Sequence, residues 1–286
     1  MGSRPSNTLT KNLKDDCHHK KNPIGSFITF IIERDEIRKQ KEAGLPRPWT
    51  DDPILVNTKF TNVRRQYDRA SKFNQKFLKP IRQDTELLWL NCLIIAHVIR
   101  PETMEHLGIV DVRSWEAGEW VNKIRQCKPM FGTAYQCPAQ YKTVLGYETR
   151  EEYIFGFLPK LAKLTWYKLY SRYSGYSITE MLDEILPYYN FKNEFATVQA
   201  MLQLSEVAPD IIDPASEIPI GVGARPALNL MYPDISHREG ILELLKLPDV
   251  KKICVTFSDV EHSLCEWRKY VELDTGIRKN TSRFRY

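Results

Sequence analysis

The sequence has no CxxC pair, no apolar run of membrane-spanning length, no sustained period-two alternation and no GxxxxGK[ST] loop. Each absence removes a class of protein. The six cysteines (Cys17, Cys92, Cys127, Cys137, Cys254, Cys265) follow no regular spacing, and no signal-peptide pattern opens the chain, so they read as reduced thiols in a cytoplasm. The most apolar stretch, 87–99, is interrupted by Asn91 and His97 and falls short of the roughly 20 residues that a membrane span needs. It reads as a buried core helix. Cys17, His18 and His19 are neighbours, but no second ligand pair follows at a recognisable spacing, so no metal is expected. A fixed-period repeat and a low-complexity tract are also missing.

What is present describes a helical globular protein. The 42% hydrophobic and 27% charged fractions suit a chain that buries a core, and a formal charge of +5 permits a nucleic-acid partner without requiring one. Residues 1–22 are polar and aperiodic and read as a mobile arm, leaving 23–286 as one helical domain or two lobes sharing a core. Apolar residues recur at helical spacing almost throughout, so the fold class is all-α. The helices are expected at about 25–43, 58–79, 84–99, 101–107, 114–126, 149–173, 177–187, 192–206, 224–231, 236–246 and 258–273, with a short strand-like run at 253–257. Ser177 with Glu180, Ser236 with Glu239 and Ser258 with Glu261 fit the capping box that marks a helix start.

Three constellations carry chemistry. In IPIGVGARPALNL (218–230), Gly221 and Gly223 are expected to supply positive φ and close backbone approach, after which a helix start near Arg225 offers amides to a DNA phosphate. The alternative is an ordinary glycine turn before a helix. On the expected helix 58–79, Phe60, Val63, Tyr67, Ala70, Phe73 and Phe77 form an apolar stripe. Asn62, Arg65, Arg69, Lys72 and Lys76 line the other face, with Asp68 placed to orient the arginines on a phosphate. A solvated helix face is the plainer alternative. In SDVEHSLCEWRKY (258–270), Val260, Leu264, Trp267 and Val271 make the buried stripe. Asp259 and Glu266 are then the carboxylates for general-base work or for stabilising a developing cation. Glu261 is a weaker candidate because it closes the expected capping box, and Cys265 reads as a small packing residue.

Taken in order, ITFIIERDEIRKQKEAGLPRPWTDDPILVNTKFTNVRRQYDR (28–69), the GVGA turn (221–224) and DVEHSLCEWRKY (259–270) resemble the alpha-glutamyl/putrescinyl-thymine pyrophosphorylases, bacteriophage amino acid:DNA transferases that share a helical domain with the 5-hydroxymethyluracil DNA kinases. The resemblance runs over about 25–285 and implies a helix-hairpin-helix, DNA glycosylase-like fold without an iron–sulfur loop. Its implied activity, in the host cytoplasm, replaces the phosphate or pyrophosphate of phosphorylated 5-hydroxymethyluracil in DNA with an amine, from an amino acid or a polyamine. It requires no cofactor. The family's patterns fall here on Glu33 and Arg34, on Trp49 to Leu55, on Phe60, Asn62, Arg65 and Asp68, and on Asp259, Glu261, Leu264, Cys265, Glu266, Lys269 and Tyr270. The turn reads GVGARPA where the family tends to a more open glycine-rich form. By this resemblance Arg34, Arg65 and Arg69 hold the leaving anion, Asp259 or Glu266 takes the proton, with Asp68 next in line, and Trp49, Phe60 and Tyr270 wall the base. The competing readings are a glycosylase acting on a modified pyrimidine and a non-catalytic binder of modified DNA.

Overall fold

In the computed structural model, residues 13, 17–111, 113, 116–133, 140–170, 177–189 and 194–278 are described, the side chains of Tyr170 and Glu194 excepted. Every regular element among them is helical, and there is no strand. The chain divides into two compact units, 1–68 with 219–286 (unit 1) and 69–218 (unit 2). Most of the expected 1–22 arm lies outside the described residues. Unit 1 begins with α1 (His18–Lys21), α2 (Pro23–Glu42) and α3 (Pro53–Asn57). Unit 2 carries α4 (Arg69–Leu78), α5 (Thr85–Val98), α6 (Pro101–Leu107), α7 (Ala117–Arg125), α8 (Gln140–Thr143), α9 (Arg150–Tyr170), α10 (Ile178–Ile185) and α11 (Glu194–Val207). The chain returns to unit 1 with α12 (Arg225–Met231), α13 (His237–Lys246), α14 (Pro248–Ile253) and α15 (Phe257–Asp274). No described helix is long and apolar enough to cross a membrane.

Unit 2 is organised around α5, whose residues are almost all buried between α9 and α11. A helix apolar on every side belongs in the interior. Its few polar groups are matched locally: Trp89 Nε1 donates to Thr165 Oγ1 at 2.9 Å, and Asn91 exchanges hydrogen bonds of 3.0 Å with both the amide and the carbonyl of Val110. His97 donates from Nδ1 to the Leu93 carbonyl at 2.7 Å, which leaves Nε2 to accept from the Tyr153 hydroxyl at 3.1 Å. A carbonyl can only accept, so geometry sets the tautomer. Burial then holds the His97 pKa down to about 4.

In unit 1, α15 lies against α2, α12 and α13. Its stripe of Val260, Leu264, Trp267 and Val271 is fully buried, as its spacing requires. Trp267 Nε1 donates to Ser26 Oγ at 3.1 Å, Ser26 Oγ meets His19 Nδ1 at 2.6 Å, and His19 Nε2 meets Asp274 at 2.9 Å. This chain fastens the described residues before Pro23 to both long helices of the unit.

Three local expectations fail for identifiable reasons. The helix drawn over 58–79 begins only at Arg69, preceded by a 3₁₀ turn at Arg65–Tyr67. A continuous helix would need the carbonyls of residues 59–61, but Lys269 takes that of Lys59 at 2.6 Å while Arg34 takes those of Phe60 and Thr61 at 3.0 and 3.2 Å. The strand-like run at 253–257 instead joins the end of α14 to the start of α15, and Arg64 binds the carbonyls of Lys252 and Ile253. Finally, the capping boxes at Ser177 and Ser236 are present, but α15 starts earlier than the Ser258–Glu261 box requires. Its box is Thr256 with Asp259.

Candidate functional site

Segments far apart in sequence meet in unit 1. From α2 comes Arg34, 7% exposed, held by the two carbonyls just described and lying 5.6 Å from the centre of the Phe60 ring. Burial lowers the Arg34 pKa, opposed by the carboxylates of Glu266, Asp68 and Glu33 around it. Its Nε is buried without a hydrogen-bond partner. From α15 comes Lys269, whose ammonium sits 4.5 Å from the centre of the same ring. Two cations therefore lean on Phe60, itself 5% exposed. Burial lowers the Lys269 pKa, against the raising influence of Glu266.

Glu266 lies one turn before Tyr270 on α15, 3.6 Å from Lys269 Nζ. Its Oε2 is buried and has no hydrogen-bond partner. A carboxylate oxygen desolvated in this way retains acceptor capacity, at a cost to the fold. Asp68 closes the loop 59–68 by accepting the Asn62 amide at 3.0 Å, with Arg65 Nε 3.4 Å away. Burial raises its pKa, countered by the Asn62 amide and then by Arg65, Arg34 and Lys59. Tyr270 donates to Asp52 at 2.6 Å, and Asp52 also caps α3 through the amides of Ile54 and Leu55. Burial, with Asp52 beside it, raises the Tyr270 pKa.

Asp259 is occupied differently. It accepts the amides of Val255 and Thr256 at 2.9 and 3.1 Å as part of the cap, and burial raises its pKa against those bonds. Glu261, released from the cap, reaches across to accept the Gly221 amide at 2.9 Å. Burial lifts its pKa to about 6, with the Gly221 bond and Arg65 opposing. His262 beside it is driven down to about 3 by burial and then by Arg65, and its Nδ1 has no partner.

The glycine turn is built on this helix. Neither Gly221 nor Gly223 has positive φ, contrary to expectation. Their lack of a Cβ serves contact instead: one at Gly221 would stand 3.0 Å from Glu261 Oε1, and one at Gly223 would overlap Cys265 Sγ. Burial pushes the Cys265 thiol up to about 11, as suits a packing residue. Val222 between the glycines is 80% exposed.

Arg34, Asn62, Arg65, Asp68, Gly221, Gly223, Asp259, Glu261, Glu266, Lys269 and Tyr270 thus all belong to unit 1. Arg69 does not: it stands in unit 2, 78% exposed, paired with Glu102. The expected cationic stripe of Asn62, Arg65, Arg69, Lys72 and Lys76 is therefore not one helix face. Arg225 is exposed and donates to the Ile220 carbonyl at 3.0 Å, and Trp49 lies in the loop before α3. Sequence reasoning noted Asp52 only as part of the 49–55 segment, His19 only as a rejected metal ligand and gave His262 no role, missing the contacts they make. The cap role of Asp52 was detectable from an Asp one residue before Pro53, a helix-start signal; the partners of His19, at Ser26 and Asp274, carry no local signal.

No solved structure matches this chain. It is 31% identical over 120 residues to a protein named 5-hmdU DNA kinase from Bacillus phage SP10, a match covering 38% of this chain and 19% of that protein. The chain thus spans about a fifth of that relative's length. The family profile described as "5-hmdU DNA kinase, helical domain" matches residues 22–276, which include every residue of the cluster in unit 1, and the chain belongs to that family.

Proposed function

We propose that this chain acts on modified thymine in DNA, replacing the phosphate or pyrophosphate of phosphorylated 5-hydroxymethyluracil with the amine of an amino acid or polyamine. The observation that carries this reading is the meeting of Arg34, Lys269 and Glu266 around Phe60, inside the residues matched to the helical-domain family of the 5-hmdU DNA kinases. Both the transferase assignment and the helix-hairpin-helix, glycosylase-like fold are part of the proposal.

The step is a substitution at the exocyclic methylene. The carbon–oxygen bond to the leaving phosphate or pyrophosphate breaks, a carbon–nitrogen bond forms, and the amine gives up one proton. Arg34 and Lys269, with Arg65, bring positive charge to the leaving anion, and fixed charges in a dried site act more strongly than in water. Glu266 takes the proton, because its Oε2 is buried beside those cations, 3.6 Å from Lys269 Nζ, and accepts no hydrogen bond. Asp259 is assigned to the cap and Glu261 to the glycine turn. The glycosylase alternative would use one of the same carboxylates at the sugar, and with Asp259 held by two amides that carboxylate would again be Glu266. A phosphate-transferring reading lacks support, since no GxxxxGK[ST] loop occurs in the sequence.

The test is to incubate the protein with DNA bearing phosphorylated 5-hydroxymethyluracil and a mixture of amino acids and polyamines, then digest and analyse the nucleosides by mass spectrometry. An aminated thymidine is expected. Free modified base with abasic DNA would establish the glycosylase, and binding without any new nucleoside would establish the binder.

A further inference from the structure

His262 and Glu266 stand one turn apart on α15, and each buries an atom that makes no hydrogen bond, Nδ1 in the one and Oε2 in the other. Residues four apart on a helix are neighbours, with Cβ atoms about 5–6 Å from each other. That spacing suits one small polar group held by both side chains.

Both atoms are acceptors. His262 Nε2 faces Glu261 Oε2 at 3.7 Å, and a carboxylate keeps the imidazole proton on the nitrogen that faces it, which leaves the lone pair on Nδ1. Burial and then Arg65 keep the ring neutral, with a pKa of about 3. Glu266 Oε2 has only its 3.6 Å ion pair to Lys269. The side chains are not sealed: His262 is 13% exposed and Glu266 21%, and the terminal torsion of each is broad, so a small turn presents either atom.

Two acceptors with no donor between them define a ligand by its hydrogens. A neutral primary amine carries two N–H groups and one lone pair, so both hydrogens are held and the lone pair is left for the carbon. A phosphate oxygen or a base carbonyl has nothing to donate. A secondary amine satisfies one acceptor and leaves the other buried and unpaired. Arg34 and Lys269 near Glu266, and Arg65 near His262, favour the uncharged amine, because like charges disfavour an ammonium.

We infer that His262 Nδ1 and Glu266 Oε2 together seat the nitrogen of a primary amine, the donor of the substitution proposed above. The inference rests on that reading of the reaction and adds the class of amine. The nitrogen lone pair forms the carbon–nitrogen bond while the carbon–oxygen pair leaves with the phosphate or pyrophosphate. One N–H proton passes to Glu266 Oε2, and the other stays on the product, held by His262.

The test compares glycine with N-methylglycine, and 1,4-diaminobutane with its N,N′-dimethyl form, in single-turnover amination of one phosphorylated 5-hydroxymethyluracil oligonucleotide. For the donor that reacts, the parent should half-saturate at about tenfold lower concentration of the primary amine than of its methylated form, the scale of one unpaired hydrogen-bonding group. His262→Ala should raise that concentration about tenfold for the primary amine and little for the methylated one, so the preference disappears while the saturated rate stays within a few fold. His262→Asn, whose amide oxygen stands close to where Nδ1 stood, should retain the preference. The parent also answers without turnover: beside the unphosphorylated oligonucleotide, the primary amine should move the nitrogen-15 resonance of His262 Nδ1 upfield, and this measurement decides if the alanine variant does not fold. A preference that survives in folded His262→Ala, or an Nδ1 resonance that the amine leaves in place, would overturn the seat, and product formation by the parent would then leave the transferase reading standing. A shifted Nδ1 in a protein that yields no aminated nucleoside would keep the seat and sink the transferase reading.

Discussion

The two units differ in the kind of polarity they bury. In unit 2, Asn91, Trp89 and His97 are buried in an apolar helix, and each has a nearby partner that uses its hydrogen-bonding capacity. Polarity there closes a core. In unit 1 the buried groups include charges: Arg34 Nε and His262 Nδ1 make no hydrogen bond, and Glu266 Oε2 has only the 3.6 Å ion pair to Lys269. Burying charge without full compensation works against folding; unit 2 also buries Arg150 Nε, Thr103 Oγ1 and Gln203 Oε1 without a hydrogen-bond partner, whereas in unit 1 a carboxylate and an imidazole are buried so beside a guanidinium.

Removing a satisfied polar group in unit 2 should do the greatest damage to folding. Asn91→Ala strands both the amide and the carbonyl of Val110 and is expected to cost about 4 kcal/mol, read by urea unfolding. A cost below about 1 kcal/mol would show that water enters there and that unit 2 is not closed as described.

Next in size is the glycine turn. Gly223→Val drives a side chain into Cys265 and should cost about 2 kcal/mol. Pairing it with Cys265→Gly should return part of that loss, an interaction absent if the turn faced only a ligand. A Gly223→Val protein with parental stability would restore the view that this glycine serves DNA alone.

The histidine of unit 2 gives a smaller, pH-dependent effect. His97 is depressed from the ordinary 6.5 to about 4, so between those values the unfolded chain binds a proton that the folded one refuses. Stability therefore falls as pH drops through this window, by about 1.5 kcal/mol from pH 6.5 to 5 for this group alone. In nitrogen-detected NMR, His97 should remain neutral with the proton on Nδ1 at pH 5. Titration near 6.5 would contradict its burial. Glu261 runs the other way: its pKa is raised from 4.5 to about 6, so its contribution grows as pH falls through that interval. Smallest is the cap, where Asp259→Ala should lower stability by about 1 kcal/mol.

Much of this architecture was legible in the sequence. The long helices emerge from apolar periodicity to within a few residues, and α15 shows its buried stripe because Val260, Leu264, Trp267 and Val271 obey helical spacing. Segment 58–68 was not legible, since its carbonyls are taken by Arg34 and Lys269, 26 or more positions away, and propensity cannot foresee a tertiary competitor. The roles of Asp259 and Glu261 exchanged for a related reason. Thr256 and Ser258 both offer a hydroxyl with a carboxylate three residues on, and only the path leaving α14 decides which one starts the helix. Gly221 and Gly223 were rightly singled out for close approach, but the surface approached is α15.

The central claim is that Glu266, with Arg34 and Lys269 beside it, is the reacting carboxylate and that Asp259 only builds the helix. Single-turnover product formation on one phosphorylated 5-hydroxymethyluracil oligonucleotide separates chemistry from binding. Glu266→Gln should fold and bind as the parent yet react about 10²-fold slower or worse, the range for a lost general base, while Asp259→Asn should keep a rate within a few fold of parental. Parental rates in Glu266→Gln together with a collapse in folded Asp259→Asn would contradict the account and return the proton to the cap.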